Sequence, residues 1–553
     1  MKEYIGKGVF AMDVREIPLP AATKLAADYI AGVFPIESGF AYAWTDDEAF
    51  CRRLSHLQRR TYDRRGLADY LHAYHRRFFA SPATMANIDK LRDERSVVIV
   101  GGQQAGLLTG PLYTIYKIIT IIQLAKEQER KLGVPVVPLF WIAGEDHDIA
   151  EIDHVYVIEE GEVKKAAYPH KTNEKRMAAD VPLDWMAAKE WIERVVKTYG
   201  ETDVTNELLS FLSSCLDEGR TFVDFFAAIV LRLFADHGLV VLNAGDAAVR
   251  PLERRFFAAL IERHRDVTAA VLAQQEALRA LGYAPLIEIG SDAANLFYYD
   301  GRERSLLQYD EERGLFRNKA GTLVWTREEL LELAETNPAC FSNNVVTRPL
   351  MQEYLLPTLA FIAGPGEIAY WAELKEAFPL FGLEMPPVVP RLQATIVSRS
   401  LQTDLSDIGL EVADVLNGRL DEAKRKWRET TTQAPLASAF SKAKADIDAA
   451  HRPLRELGVA IDRGLERLVA KNAAIIQAQI EFLQHAFERS LLRKHETEWR
   501  KFWRIETSLR PNGALQERVW NVFYYINRYG FDFVEKLLAI RSPSNGMHKI
   551  VYM

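Results

Sequence analysis

The 553-residue sequence has few cysteines, no long apolar run and no excess of positive charge. Cys51, Cys215 and Cys340 are far apart and form no CxxC pair, so the sequence favours free thiols in a reducing compartment. A net charge of −7 argues against a nucleic-acid-binding protein that relies on general electrostatics. No apolar stretch approaches the ~20 residues that span a bilayer, and no secretory signal is visible. We therefore expect a cytoplasmic protein without membrane or nucleic-acid partners.

The composition is that of a soluble globular protein, with 48% hydrophobic and 26% charged residues. The length allows about three domains. The patterns along the chain predict four segments. These are a helical N-terminal layer at 1–95, an α/β core at 96–397 with insertions at about 155–221 and 282–345, a helical coiled coil at 398–502, and a C-terminal segment at 503–553 that packs back on the core.

Alternating strand and helix patterns identify the core. Ser96–Val100 is a short β-branched run typical of a buried strand, and 112–132 has the apolar spacing of a helix. A second buried run, Val134–Ala143, follows, so this part of the chain predicts a βαβ unit and a parallel, Rossmann-like sheet. The pattern returns as a helix at 222–237, a strand at 239–242, a long helix at 249–281 and a last strand at 358–363.

The segment 398–502 contains a regular apolar stripe. Its members recur every seven residues and are Leu454, Ile461, Leu468, Ile475 and Phe482. A second apolar stripe runs beside the first. We predict one helix with a broad apolar face in an antiparallel coiled-coil arm, which also packs on another helix or subunit. Pro453 and a helix over Leu401–Trp427 would supply the returning partner.

The first of three loops that could carry chemistry is Gly101–Gly110, between a predicted strand and helix. Glycines there let backbone approach a ligand closely, and free N–H groups at a helix start favour an anion. Gln103, Gln104 and Thr109 would add neutral hydrogen-bonding groups. The loop matches neither the dinucleotide fingerprint nor the P-loop. It predicts a phosphate or carboxylate site, with a tight structural turn as the alternative.

The second loop is an acidic cluster made of Gly144, Glu145, Asp146, His147 and Asp148. It follows a predicted strand, and ligands bind at the carboxyl edge of open α/β sheets. Three carboxylates need a cation, an amine or a metal, and they should favour the protonated form of His147. The cluster therefore predicts ammonium recognition, Mg²⁺ coordination or acid/base work on an amine, with a solvated acidic turn as the alternative. Zinc at His147, Glu151 and His154 is not favoured, because no cysteine is near and the spacing matches no standard zinc motif.

The third loop is Gly364-Pro365-Gly366-Glu367, followed by Tyr370 and Trp371. A glycine-rich turn with aromatics beyond it can hold a flat ring or a sugar; the alternative is an ordinary helix start with core aromatics. Two other pairs are weaker candidates. Asn243 and Asp246 could reach ribose or sugar hydroxyls, and Arg348 and Arg391 could pair with a carboxylate or phosphate, although a structural ion pair is the commoner role.

Three stretches together resemble the bacillithiol synthase family: SVVIVGGQQAGLLTGPLYTIYK, VPLFWIAGEDHDIAEIDHVY and TRPLMQEYLLPTLAFIAGPGEIAYWAELKEAF. A fourth, LRPNGALQERVWNVFYYINRYG, is similar to the C-terminal end of that family, so the resemblance covers essentially the whole chain. The family implies a Rossmann-like α/β core resembling class I aminoacyl-tRNA synthetases, with connecting insertions and a coiled coil used in homodimerisation.

The resemblance implies a ligase that joins cysteine to the amino group of glucosaminyl malate. ATP would activate the cysteine carboxylate as an acyl-adenylate, and Mg²⁺ could accompany it. The acidic cluster would orient the amine, with His147 or a carboxylate taking its proton, while the two glycine-bearing loops would line the rest of the pocket. The residues implied are Gln103, Gln104, Gly106, Thr109 and Gly110; Glu145, Asp146, His147 and Asp148; and Gly364, Gly366, Glu367, Tyr370 and Trp371.

The sequence departs from the synthetase pattern in two ways. It has no KMSKS-like lysine loop before the coiled coil, and no Cys/His zinc site that would select a thiol. Either ATP is used differently, or Lys117, Lys375 or the arginines substitute. The alternative functions are a non-catalytic sugar-malate-binding or scaffold dimer with a degenerate nucleotide site, and a ligase for another small amine and carboxylate. The ligase interpretation requires the three loops to meet at one edge of the sheet.

Overall fold

The computed structural model describes residues 12–170, 174–431, 435–541 and 545–553. The chain divides into two compact units. The first comprises the chain up to Thr395 together with Gln516–Val551, and the second comprises Ile396–Leu515 with Tyr552–Met553. No helix in the described ranges is both long enough and apolar enough to cross a membrane.

Strands and helices are interspersed along the first unit, whereas the second unit is mainly helical. The strands are β1 (Asp13–Ile17), β2 (Val97–Gln103), β3 (Val136–Ile142), β4 (His154–Glu159), β5 (Glu162–Ala167), β6 (Val240–Asn243), β7 (Ala293–Tyr299), β8 (Arg304–Asp310), β9 (Leu315–Asn318), β10 (Val324–Trp325), β11 (Phe341–Asn343), β12 (Thr358–Ala363), β13 (Val388–Pro390), β14 (Ala394–Val397) and β15 (His548–Tyr552). The helices are α1 (Lys24–Ile30), α2 (Asp47–Leu57), α3 (Arg64–His75), α4 (Pro82–Lys90), α5 (Tyr113–Leu132), α6 (Trp185–Thr198), α7 (Thr205–Glu218), α8 (Phe222–Leu233), α9 (Arg250–Ala280), α10 (Arg327–Thr336), α11 (Thr347–Leu355), α12 (Pro365–Trp371), α13 (Arg399–Ile408), α14 (Val412–Leu416), α15 (Leu420–Thr431), α16 (Pro435–Ile461), α17 (Glu466–Lys494), α18 (Glu496–Leu509), α19 (Val522–Tyr529) and α20 (Asp532–Ala539).

A five-stranded parallel sheet forms the centre of the first unit, in the order β13-β12-β2-β3-β6. Every residue of β3 is buried, as expected of a parallel strand covered on both faces. Along the chain, β3 and β6 are added to the sheet on one side of β2, and β12 and β13 are then added on the other side. This reversal between β2 and β12 opens a crevice at their carboxyl ends, where α/β proteins bind ligands. The predicted Rossmann-like fold is confirmed.

Two antiparallel additions interrupt the chain order of this sheet. The hairpin of β4 and β5 follows β3. A second five-stranded sheet, ordered β10-β9-β8-β7-β11, is inserted between α9 and β12. We call it the inserted sheet; all of its neighbouring strands are antiparallel. Its registers place Phe297 opposite Ser342 and Arg304 opposite Tyr299, so that Phe297, Ser342 and Arg304 come from three adjacent strands.

In the second unit, α16 and α17 form an antiparallel helical hairpin. Lys444 pairs with Glu481, and His451 lies 2.9 Å from Asn472, as an antiparallel pairing requires. The chain turns at Asp462, whose carboxylate accepts a hydrogen bond from the Gly464 N–H at 2.8 Å. Asp and Gly both favour such a break.

The prediction of one continuous heptad helix is therefore wrong, because the stripe is divided between α16 and α17. The returning partner of α17 is α16, and the region expected as a single helix over Leu401–Trp427 contains three helices, α13 to α15. Pro453 lies inside α16. All five stripe residues are exposed, Leu454, Ile461, Leu468, Ile475 and Phe482, by 50–72% of their surface. The stripe is thus an apolar surface of the hairpin rather than its internal seam.

A buried ion pair joins α2 to α11, the helix that precedes β12. Arg53 and Glu353 are both 0% exposed and lie 2.5 Å apart. Arg53 also donates to the carbonyls of Thr358 and Glu384. We expect Arg53→Met to lower the free energy of unfolding by about 3 kcal/mol, since it leaves a buried carboxylate undercompensated. Thermal unfolding measures this loss. The matched control is Arg52→Met, which removes an exposed neighbour, and an equal effect of both variants would contradict the prediction.

Candidate active site

A pocket of about 770 Å³ lies at the carboxyl edge of the parallel sheet, bounded also by the inserted sheet. This volume is ordinary for a small-molecule site. All three predicted loops reach it, so the convergence that the sequence interpretation required is present. The predicted residues that line it are Gln103, Gln104, Glu145, Asp146, His147, Gly364, Gly366, Glu367 and Tyr370.

The second half of the first loop does not line the pocket. Leu108 and Thr109 are fully buried with φ values of 52° and 72°, a conformation that L-residues rarely adopt. The Asn521 amide holds them by donating to the carbonyls of Leu108 and Gly110, at 2.5 and 2.8 Å. Gly106, Thr109 and Gly110 therefore form a tight structural turn, and their expected place at the anion site is wrong.

Four other predicted residues lie outside the pocket lining: Asp148, Asn243, Asp246 and Trp371. Trp371 is fully buried and stacks on Phe361 with ring centroids 4.2 Å apart, so it belongs to the core. The Asn243 amide oxygen accepts from the Gly245 N–H. Asp246 lies 3.5 Å from Arg77. Asp148 is exposed to solvent.

Within the acidic cluster, Glu145 is neutralised by the protein itself. It is nearly buried and lies 2.9 Å from Nη2 of Arg250, at the start of α9. Both the backbone and the side-chain N–H groups of Asn343 donate to it. Arg250 also pairs with Glu253, whose pKa is raised by burial although the charge of Arg250 opposes that shift. The cation that the cluster was expected to need is thus partly supplied by α9.

Asp146 differs from Glu145 because it forms no ion pair within the described part of the chain. One carboxylate oxygen accepts from the N–H groups of His147 and Asp148, at 2.7 and 3.2 Å, which fixes the turn. The other oxygen accepts from the Gln104 amide at 2.6 Å. Asp146 is therefore an oriented carboxylate at the pocket wall that has no ion pair within the described residues.

His147 does not behave as the sequence suggested. Burial, followed by the charge of Arg304, lowers its pKa below the usual 6.5, although Asp146 opposes the shift. Nη1 of Arg304 lies 3.1 Å from Nδ1 of His147. The expectation that the carboxylates hold His147 in its protonated form is wrong, because burial and an arginine from the inserted sheet outweigh them.

The cations at the pocket fall into paired and unpaired groups. Arg391 is buried against Glu517 at 2.7 Å, so its expected role as a ligand for an anion gives way to a structural one. Arg348 donates to the Tyr370 hydroxyl at 2.5 Å, and Arg518 lies 5.8 Å from the Tyr113 ring. Neither Arg348 nor Arg518 has an ion pair with a carboxylate among the described residues.

Lys117 bridges the crevice between β2 and β12. Its ammonium group donates to the Gly102 carbonyl at 2.6 Å and to the Gln103 amide oxygen at 3.1 Å, and it pairs with Glu367. Burial lowers the pKa of Lys117, and Glu367 opposes that shift. Lys375 donates instead to the Glu37 carbonyl and does not line the pocket. Of the groups that could replace a lysine loop, Arg348 and Arg518 remain.

The acidic residues of the pocket do not form a metal centre by themselves. Within the ranges that the structure describes, no group of three or more His, Cys, Asp or Glu side chains is arranged to hold a metal ion. His154, one of the residues considered for zinc, has its Nδ1 3.0 Å from the Asp153 carboxylate.

The sequence matches "Bacillithiol biosynthesis BshC, N-terminal Rossmann-like domain" over residues 12–392 and "Bacillithiol biosynthesis BshC, C-terminal coiled-coil domain" over residues 394–553. The chain belongs to the BshC family. This membership confirms the resemblance seen in the sequence and agrees with the Rossmann-like sheet and the helical hairpin of the structure.

Curated relatives in the BshC family are similar over 98% of this chain and 100% of their own length. The proteins of Geobacillus kaustophilus, Geobacillus thermodenitrificans and Bacillus licheniformis are 93%, 83% and 45% identical. Each is named "Putative cysteine ligase BshC". A solved structure titled as a putative arginyl-tRNA synthetase from Campylobacter jejuni is 9% identical, covers 84% of this chain and 98% of its own, and has a TM-score of 0.23, which supports no argument.

The sequence interpretation missed the residues that the inserted sheet and the C-terminal segment bring to the BshC pocket. These are Phe297, Arg304 and Asn343 from the inserted sheet and Arg518 from the C-terminal segment; Glu288, which precedes the inserted sheet, was missed as well. Asn343 was detectable in principle, because Asn343-Asn344 ends a short strand as Asn243 does. No sequence pattern indicated Arg304, because its role depends on how the inserted sheet packs against the acidic loop, which is distant in the chain.

We expect Lys117→Met to loosen both walls of the crevice, because three acceptors lose their shared donor. The local cost is about 2 kcal/mol. Hydrogen–deuterium exchange should rise at 100–104 and 364–368. Lys126→Met, an exposed lysine on the same helix, is the matched control. Exchange in the Lys117 variant no faster than in this control would refute the bridging role.

Proposed function

We propose that this chain is a ligase that joins the carboxyl group of cysteine to the amine of glucosaminyl malate, with ATP activating the carboxylate. One observation carries the proposal: a single pocket contains an oriented carboxylate, Asp146, and two guanidinium groups, Arg348 and Arg518, none of which forms an ion pair with another described residue. Such a pocket suits a substrate set that combines an amine with anionic groups. The names of the relatives support cysteine as the acid component.

Asp146 is proposed to receive the sugar amine. An ammonium group would supply the positive charge that this carboxylate lacks, and the Gln104 amide at 2.6 Å keeps the carboxylate oriented. Only the neutral amine can attack a carbonyl, so the ammonium must first lose a proton. A carboxylate within hydrogen-bond reach can accept that proton as a general base.

Arg348 and Arg518 are proposed to receive the anionic groups. A guanidinium fork matches both carboxylate and phosphate oxygens, so the malate arm and the phosphates of ATP are both candidates for it. Lys117 is a weaker candidate, since its ammonium group already has three acceptors. Arg348 and Arg518 are therefore proposed to bind the phosphates of ATP in place of a separate lysine loop.

The proposed reaction has two chemical steps. In the first, a cysteine carboxylate oxygen bonds to the α-phosphorus of ATP, and pyrophosphate leaves. In the second, the amine nitrogen bonds to the activated carbonyl carbon, the bond from that carbon to the AMP oxygen breaks, and the nitrogen loses a proton. Removing water and holding the amine near the carbonyl are the contributions expected from the pocket walls.

With cysteine, glucosaminyl malate and ATP, the purified chain should form bacillithiol and consume ATP. We expect Asp146→Asn and His147→Ala to lose at least a hundredfold in kcat, because each removes a group at the reacting centre. Glu159→Gln, an exposed charge change on β4, is the matched control. Mass spectrometry of the product measures the rates.

Two outcomes would count against the proposal. Absence of product with the wild-type chain favours the non-catalytic sugar-malate-binding alternative. Near-normal turnover in both pocket variants would remove the assigned roles while leaving the ligase activity in place.

A homodimer through the helical hairpin is also proposed. The stripe of five exposed apolar residues on α16 and α17 is an unusual surface for a monomer, and coiled-coil partners cover such stripes. We expect Phe482→Asp to shift the chain from dimer to monomer in light scattering coupled to size exclusion. Ala474→Asp adds the same charge on a neighbouring face of α17 and should leave the dimer intact. A dimer that survives Phe482→Asp would contradict the assignment.

A further inference from the structure

The imidazole of His147 faces a partner that can only donate. Nη1 of Arg304 lies 3.1 Å from Nδ1 of His147. A guanidinium group has five N–H donors and no acceptor, and it stays charged in proteins. Nδ1 must therefore accept this hydrogen bond. Because a neutral imidazole carries one proton, that proton lies on Nε2.

Arg304 is held so that it cannot turn away from His147. Its Nε donates to the Ser342 hydroxyl at 2.8 Å, and its Nη2 donates to the Asn343 carbonyl. Its guanidinium carbon lies 3.7 Å from the centre of the Phe297 ring. The residue is only 7% exposed. Three strands of the inserted sheet, β7, β8 and β11, thus fix the position of one donor.

The charges around His147 agree with a neutral ring. Arg304 and Lys175 disfavour the imidazolium, whereas Asp146 and Asp148 favour it. Burial is the largest influence and also disfavours the charged form, so the pKa is lowered overall. At neutral pH, His147 is therefore mainly uncharged.

We infer that Arg304 is a positioning residue that holds His147 as the neutral Nε2–H tautomer, so that His147 donates a hydrogen bond to the substrate and does not take the proton of the amine. This inference rests on the proposed ligation and deepens it. When the amine attacks, negative charge develops on the carbonyl oxygen of the activated carboxyl group, and a fixed donor stabilises that charge. The carboxylate of Asp146 is then the proton acceptor.

A pair of substitutions at His147 separates the two roles. The amide of His147→Gln can donate a hydrogen bond near the position of Nε2 but takes no proton at neutral pH, whereas His147→Ala can do neither. We expect the alanine variant to lose about 10²–10³-fold in kcat. The glutamine variant should retain at least tenfold more activity than the alanine variant. Equal losses in two folded variants would overturn the inference, because a general base is lost in both.

A second measurement does not depend on turnover. Nitrogen-15 NMR of the free chain with labelled histidine distinguishes a protonated from an unprotonated ring nitrogen, and the His147 signals are those missing in His147→Gln. We expect an unprotonated Nδ1 at pH 7. In Arg304→Met the pKa of His147 should rise and the tautomer preference should weaken, while Arg304→Lys, which keeps a cationic donor, should restore part of both.

The control for that measurement is Arg302→Met, which removes an exposed arginine two residues before Arg304. It should leave the His147 signals unchanged. A proton on Nδ1 in the wild-type chain, or an unchanged His147 in Arg304→Met, would overturn the inference. A wild-type chain with the expected tautomer but no ligation would instead sink the proposed function, so the two failures are distinguishable.

Discussion

The Arg304 guanidinium joins the inserted sheet to the acidic loop at the end of β3, and the candidate site depends on this contact. One buried group donates to the Ser342 hydroxyl, the Asn343 carbonyl and His147 Nδ1. Without it, the parallel sheet would present an acidic turn whose imidazole could adopt either tautomer. With it, the turn has a defined charge and a defined donor direction. The inserted sheet is therefore part of the site rather than an appendage to the Rossmann-like core.

The pocket divides its charges between two walls. On the acidic wall, Glu145 is neutralised by Arg250, whereas Asp146 has no ion pair among the described residues and can be complemented by a ligand. On the basic wall, Arg391 is occupied by Glu517, whereas Arg348 and Arg518 have no carboxylate partner among the described residues. Burying these ion pairs has an unfavourable desolvation free energy. This is offset because each pair also forms further hydrogen bonds. The pocket therefore retains few charged groups without an ion-pair partner, and the acidic and basic ones among them have different proposed ligands.

Most of the core could be predicted from sequence, because buried parallel strands and their helices have a strong apolar pattern. The convergence of the three loops also followed from topology, since the carboxyl ends of parallel strands meet at one edge. The predictions failed where packing decides the outcome. Thr109 turns inward because Asn521, far away in the chain, holds its loop. Trp371 belongs to the core because it stacks on Phe361.

The prediction for the helical segment was wrong for a different reason. The heptad spacing was real, but Asp462 and Gly464 end one helix and begin another within it. A seven-residue repeat in the sequence does not distinguish one continuous helix from a hairpin when the two helices of the hairpin keep the same heptad register. Similarly, the pKa of His147 could not be read from its acidic neighbours, because burial and the charge of Arg304 on another sheet outweigh them.

The most direct test of the roles assigned to the pocket is a crystal structure of the chain with glucosaminyl malate. We predict that the amine nitrogen lies about 3 Å from an oxygen of Asp146. We also predict that the malate carboxylates face Arg348 or Arg518. A sugar amine bound away from the acidic loop, or outside the crevice between β2 and β12, would contradict these roles.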